Sequence, residues 1–184
     1  TCDEEIGRGT DKIDLHKLDA TVAYTLDGGG AAIIDEETFS ADAATVRFEG
    51  HNIHPSIAKD RMVNAVRAAA DFVARLPSDT CSPETTDKRE GFIHPYVIEG
   101  GVGEATVEII LRSFETEDLS AYSRQLQDTA DEVVKMMPGL KANVEIVRQY
   151  RNLRDGLKDL PEAVTLAQQA FENLGIEYRS ESIR

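Results

Sequence analysis

Asp3-Glu4-Glu5, followed by Ile6-Gly7, sets three carboxylates in a row beside a permissive backbone. Adjacent side chains on an extended chain point to opposite sides, so two neighbouring glutamates would serve different tasks. One could ligate a metal while the other, unligated, takes a proton from bound water. A solvated acidic patch is the competing reading in a chain this acidic. Asp27 ends the segment Thr21–Leu26 and precedes Gly28-Gly29-Gly30, which suits either a turn aspartate or a carboxylate ligand at a strand end. His51 and His54 flank Asn52-Ile53, and Gly50 and Pro55 argue against a helix that would make them a metal pair. A loop histidine is either a surface residue or a hydrogen-bond donor to a developing oxyanion, and His54 is the candidate for the second role. Arg112, in an apolar run, reads as a solvent-exposed edge residue or as a fork for a carboxylate.

The elements that must position these groups follow from hydrophobic spacing. Thr21–Leu26 is predicted as a short strand. Ala44, Val46 and Phe48 alternate with polar neighbours, predicting a strand over 43–49. Met62, Val66, Ala69, Val73 and Leu76 recur every three or four residues and predict a helix over 58–76, closed by Pro77. A polar loop over 78–90 leads to two strands, 92–99 and 106–114, joined through Gly100, Gly101 and Gly103 as a hairpin. Thr116 is placed as the N-cap of a helix whose buried face is Leu119, Tyr122, Leu126, Ala130, Val133 and Met137. Residues 142–148 supply a further strand.

The order is β-α-β-β-α-β, a ferredoxin-like, α+β arrangement with two helices on one face of a four-stranded antiparallel sheet. A last helix is expected after Pro161, with Ala163, Leu166, Ala167, Ala170 and Leu174 buried, then a strand over 176–180. These outer pieces exceed what the sandwich needs. They read as the two cut ends of a second domain, giving residues 1–36 and 154–184 as partial catalytic domain around a lid over 37–153.

The chain has 184 residues with 20 Lys and Arg against 34 Asp and Glu, a net charge of −14. Such a surface repels phosphate backbones and anionic headgroups and attracts cations, so neither nucleic-acid nor membrane binding is expected. With 41% hydrophobic residues the composition is that of a globular protein, and Cys2 and Cys81 suit two free thiols. A soluble, cytoplasmic protein is the expectation, and a start at Thr1 inside a motif suggests a fragment.

Together the motifs resemble the peptidase T family, tripeptide aminopeptidases among the co-catalytic zinc peptidases related to carboxypeptidase G and the aminoacylases. The matching stretches are Asp3 to Lys12, Tyr24 to Gly30, Asn52-Ile53-His54-Pro55 with Ala58-Lys59 and Met62 to Ala65, then Glu90-Gly91-Phe92, Ile110 to Phe114 and Ser182-Ile183-Arg184. The resemblance implies a lid and dimerisation domain inserted into an α/β zinc-peptidase catalytic domain, a homodimer through the lid, a small peptide substrate and two zinc ions in the complete enzyme. By position, Glu4 matches the general base, Glu5 and Asp27 ligands of the two metals, and His54 a lid histidine that reaches the partner subunit's active site. Arg112 matches a strand position that holds a substrate carboxylate, and Asn64 and Asn152 also fall on family positions. Two departures stand out: Arg112-Ser113-Phe114-Glu115 for Arg-Asp-Phe-Asp, and His54-Pro55-Ser56 for His-Pro-Gly. The remaining ligands would lie beyond both ends of the chain. The rival expectations are a carboxypeptidase or N-acyl amino acid amidohydrolase of the same superfamily, and a dimerisation module without activity.

Overall fold

The structure is a computed structural model that describes residues 13–26 and 30–184. The chain divides into two compact units, one of residues 1–34 with 160–179 and a larger one of 35–159 with 180–184.

The larger unit is a four-stranded antiparallel sheet under two helices. After the one-turn helix α1 (Leu15–Leu18) of the smaller unit come β1 (Ile33–Thr38), β2 (Ser40–Glu49), α2 (Ala65–Arg75), β3 (Phe92–Gly100), β4 (Glu104–Ser113), α3 (Thr116–Met136) and β5 (Lys141–Tyr150). The chain ends with α4 (Leu153–Leu157), α5 (Glu162–Leu174) and β6 (Arg179–Ile183). The sheet order β3-β4-β2-β5 is the ferredoxin-like topology that the element order predicts. A separate two-stranded ribbon pairs β1 with β6.

Alternation fixes the register. On β2, Ala44, Val46 and Phe48 pair with Ile109, Val107 and Ala105 of β4, and all six side chains are buried against the helices. Phe48 meets Phe72 of α2 at 5.6 Å between ring centroids, and Leu119, Leu126, Ala130 and Val133 of α3 complete the core. A slip of one residue would turn this whole set outward.

Helix α2 begins later than its periodicity predicts, at Ala65 with Asn64 as its N-cap, instead of at Ala58. The Asn64 side chain accepts from the backbone N–H of Val66 (3.0 Å) and Arg67 (3.3 Å), capping the first turn. Its buried face is Ala65, Ala68, Ala69 and Phe72, with Val66 42% exposed, because small alanines let the helix lie close to the sheet. Thr116 is likewise not the N-cap of α3 but its first residue; its hydroxyl pairs with Ser40 Oγ at 2.6 Å and donates to Asp155.

In the smaller unit Thr21–Leu26 forms no strand, correcting the expectation, although the Tyr24 hydroxyl donates to the Ala163 carbonyl at 2.7 Å. On α5 Ala163 is buried, while Leu166 and Leu174 are 51% and 72% exposed. Gly175 closes this helix in the left-handed conformation (φ 66°), where a side chain would be strained. The last strand is 179–183, three residues beyond its predicted start.

Candidate functional site

Glu4, Glu5 and Asp27 lie outside the described residues. Among the described residues no group of three His, Cys, Asp or Glu side chains could hold a metal ion. The described residues by themselves therefore hold no donor set that fits the implied metal.

The described candidates sit on the larger unit. His54 rides on the loop between β2 and α2, which is closed at its base by backbone. His51 and Val63 exchange N–H···O bonds of 2.8 and 3.1 Å, the Gly50 N–H donates to Gly103 (2.9 Å), and the Ala65 N–H donates to Val102 (2.9 Å). Gly50 is required there, since a Cβ would run into the carbonyl oxygens of Val63 and Val102. A 3₁₀ turn, Pro55–Ile57, follows His54, whose ring caps it by accepting from the Ser56 N–H. His54 and His51 are both exposed. The loop therefore offers an imidazole to whatever approaches it, without packing that imidazole into the core.

Arg112 stands on β4, an interior strand, so the edge-strand reading is corrected. It faces away from the helices, paired across the strands with Ala41 and Phe92. Its guanidinium donates to the Leu111 carbonyl (2.9 Å) and lies 5.4 Å from the centre of the Tyr150 ring. Its other acceptor is the Asp42 carbonyl (3.4 Å), and no carboxylate among the described residues pairs with it.

At the end of the sheet opposite the His54 loop, the end that also carries Arg112, lies a group whose role the sequence patterns did not single out. Glu37 of β1, 8% exposed, is chelated by Arg89 and pairs with Arg154 at 2.8 Å; Asn152 Nδ2 (3.1 Å) and Ser182 Oγ (3.2 Å) also donate to it. Glu115 bridges the same two arginines. The hydrogen bonds of Arg89 hold the Glu37 carboxyl well below its usual value of 4.5, at about 2, against the opposing effect of burial, with Asn152 and Arg154 adding to the lowering. Asn152, 2% exposed, also donates to the Phe114 carbonyl and accepts from the Thr38 and Arg154 N–H groups. The predicted family position Asn152 is thus a structural hub, and Asn64 a helix cap. A glutamate in a short strand, an arginine in a loop and another in the short helix α4 carry no local signal of this kind; only the fold brings them together.

Residues 37–137 match the model of the peptidase dimerisation domain, more than half of the chain, and the chain belongs to that M20 family. Along its whole length it is similar to peptidase T sequences: 40% identical over 182 residues to that of Streptococcus mutans and 37% over 184 residues to that of a Geobacillus species, covering 99% and 100% of this chain and 45% of each relative. The chain therefore spans about half the length of the curated relatives it matches. Two solved structures share its fold, the aminopeptidase PepT of Bacillus cereus (TM-score 0.78, 22% identical) and a tripeptidase of Staphylococcus aureus (TM-score 0.79, 21% identical), each covering 98% of this chain and 48% of the other.

Proposed function

We propose that this chain is part of a metal-dependent aminopeptidase that removes the N-terminal residue from tripeptides, acting as a cytoplasmic homodimer with two zinc ions in the complete enzyme. The observation that carries the reading is the 36–40% identity to peptidase T over essentially all of this chain, with the Asp3-Glu4-Glu5, Asp27-Gly and His54-Pro55 motifs in order. In this reading the lid domain makes the dimer and presents His54 to the partner subunit's cleft. Glu4 takes the proton of the attacking water, His54 donates to the oxygen that gains charge at the scissile carbonyl, and Arg112 holds the substrate carboxylate. Glu5 and Asp27 would each contribute an oxygen to the metals, which in such enzymes lower the pKa of bound water. A closed loop base supports the role of His54, because a donor held in place loses little entropy on meeting the transition state.

Glu4→Gln in the complete protein tests the reading. Tripeptide turnover is expected to fall by more than roughly a hundredfold, the scale of a lost general base; near wild-type turnover would overturn it. Release of the C-terminal residue instead of the N-terminal one would replace it with a carboxypeptidase of the same superfamily, and cleavage confined to N-acyl amino acids with an amidohydrolase.

A further inference from the structure

Ser56 stands where His-Pro-Gly is the commoner motif, and it meets the His54 ring twice. Its backbone N–H donates to Nδ1 at 3.3 Å, and its hydroxyl lies 2.7 Å from the same nitrogen. A backbone N–H can only donate, so Nδ1 must present its lone pair. A neutral imidazole that accepts at Nδ1 carries its proton on Nε2. The hydroxyl, free to rotate, then donates to that lone pair as a second and shorter contact. Pro55 holds the backbone of His54 extended (φ −57°, ψ 129°), and the Ile57 N–H closes the turn on the His54 carbonyl at 3.0 Å. The ring, the turn and the loop base are thus coupled through a few fixed hydrogen bonds.

We propose that Ser56 is a positioning residue that fixes His54 in the Nε2–H form, leaving Nε2–H as the donor that His54 offers to an oxyanion. The inference rests on the catalytic reading of His54 and deepens it: the substitution of serine for glycine tightens the one tautomer that can donate outward. Glycine at this position would supply the backbone N–H alone. A ring protonated at Nδ1 would turn its acceptor nitrogen toward the developing negative charge, which repels it.

Long-range proton–nitrogen NMR of the 184-residue chain at about pH 8, above the usual histidine range, reads the tautomer directly. His54→Gln identifies the His54 signals among the four histidines. The expected result is Nε2–H as the major neutral form, a shift of population toward Nδ1–H in Ser56→Ala, and restoration in Ser56→Thr, which returns the hydroxyl. A wild-type ring that is mainly Nδ1–H overturns the proposal, as does a tautomer indifferent to Ser56→Ala. In the complete protein, Ser56→Ala is expected to lower kcat roughly three- to tenfold, the equivalent of one hydrogen bond, with KM less affected and Tm unchanged. Ser56→Thr recovers most of the rate. If the tautomer shifts while turnover does not, Ser56 still sets the ring, but His54 is not the donor, and the proposal falls through the reading on which it rests.

Discussion

The two ends of the four-stranded sheet are built on opposite terms. At the end where β1 enters, the buried Glu37 and Asn152 are joined to the exposed Arg89 and Glu115 and the half-buried Arg154 in a network in which nearly every polar atom has a partner. At the other end the loop that carries His54 is held by backbone at its base and by one serine at its tip, and its imidazole is exposed. Desolvated charges cost free energy unless each is matched, so the first end is committed to structure. The second leaves the His54 imidazole exposed, as its proposed role as a donor requires. The same sheet thus separates stability from presentation by about the length of its strands.

That contrast can be broken most severely at the network. Asn152→Ala removes the side chain that satisfies Phe114, Thr38 and Glu37 together, and is expected to cost about 3 kcal/mol of unfolding free energy, measured by denaturant melts. Acid should act on the same end. The Glu37 carboxyl is lowered from 4.5 to about 2 in the folded chain, so its contribution is fully present above about pH 4.5 and is lost as pH falls toward 2. The loss is expected to approach about 3 kcal/mol, and Glu37→Gln should flatten that acid limb. An acid limb identical in the variant would show that another carboxylate governs it.

Effects at the other end should be smaller on stability. Gly50→Ala drives a methyl into the Val63 and Val102 carbonyls and should cost about 2 kcal/mol while deprotecting the His51 and Val63 amides in hydrogen exchange. Asn64→Ala removes the α2 cap for about 1 kcal/mol. His54→Ala closes the series, with less than about 0.5 kcal/mol of stability lost, as for an exposed side chain. A large destabilisation by His54→Ala would erase the distinction between the two ends.

The strands of the sandwich were legible because alternation such as Ala44-Thr45-Val46-Arg47-Phe48 has one physical cause, burial of one face. The start of α2 was not legible: Met62 and Val63 continue the apolar spacing, yet Val63 is taken by a bridge to His51, a partner twelve residues away. Thr116 looked like a cap because its type suits one, but Ser40 and Asp155 claim its hydroxyl. Leu166 and Leu174 form an apolar stripe that the described residues do not bury, so periodicity alone overstated the packing of α5. For the site, His54 and Arg112 were legible as residue types in loops and strands; their surroundings were not.

By itself the sequence determined the element order of the four-stranded sandwich, the face that β2 buries, the acidic balance and the motifs that place this chain among the M20 peptidases, since these depend on local spacing and residue chemistry. Tertiary structure alone decided that Arg112 lies on an interior strand, that Glu37 is matched by arginines 52 and 117 positions away, and that the His54 loop is closed by Val63 and Gly103. Those facts depend on which distant groups the folded chain brings within hydrogen-bond reach, and the 3.6- and 2-residue periods do not encode that pairing.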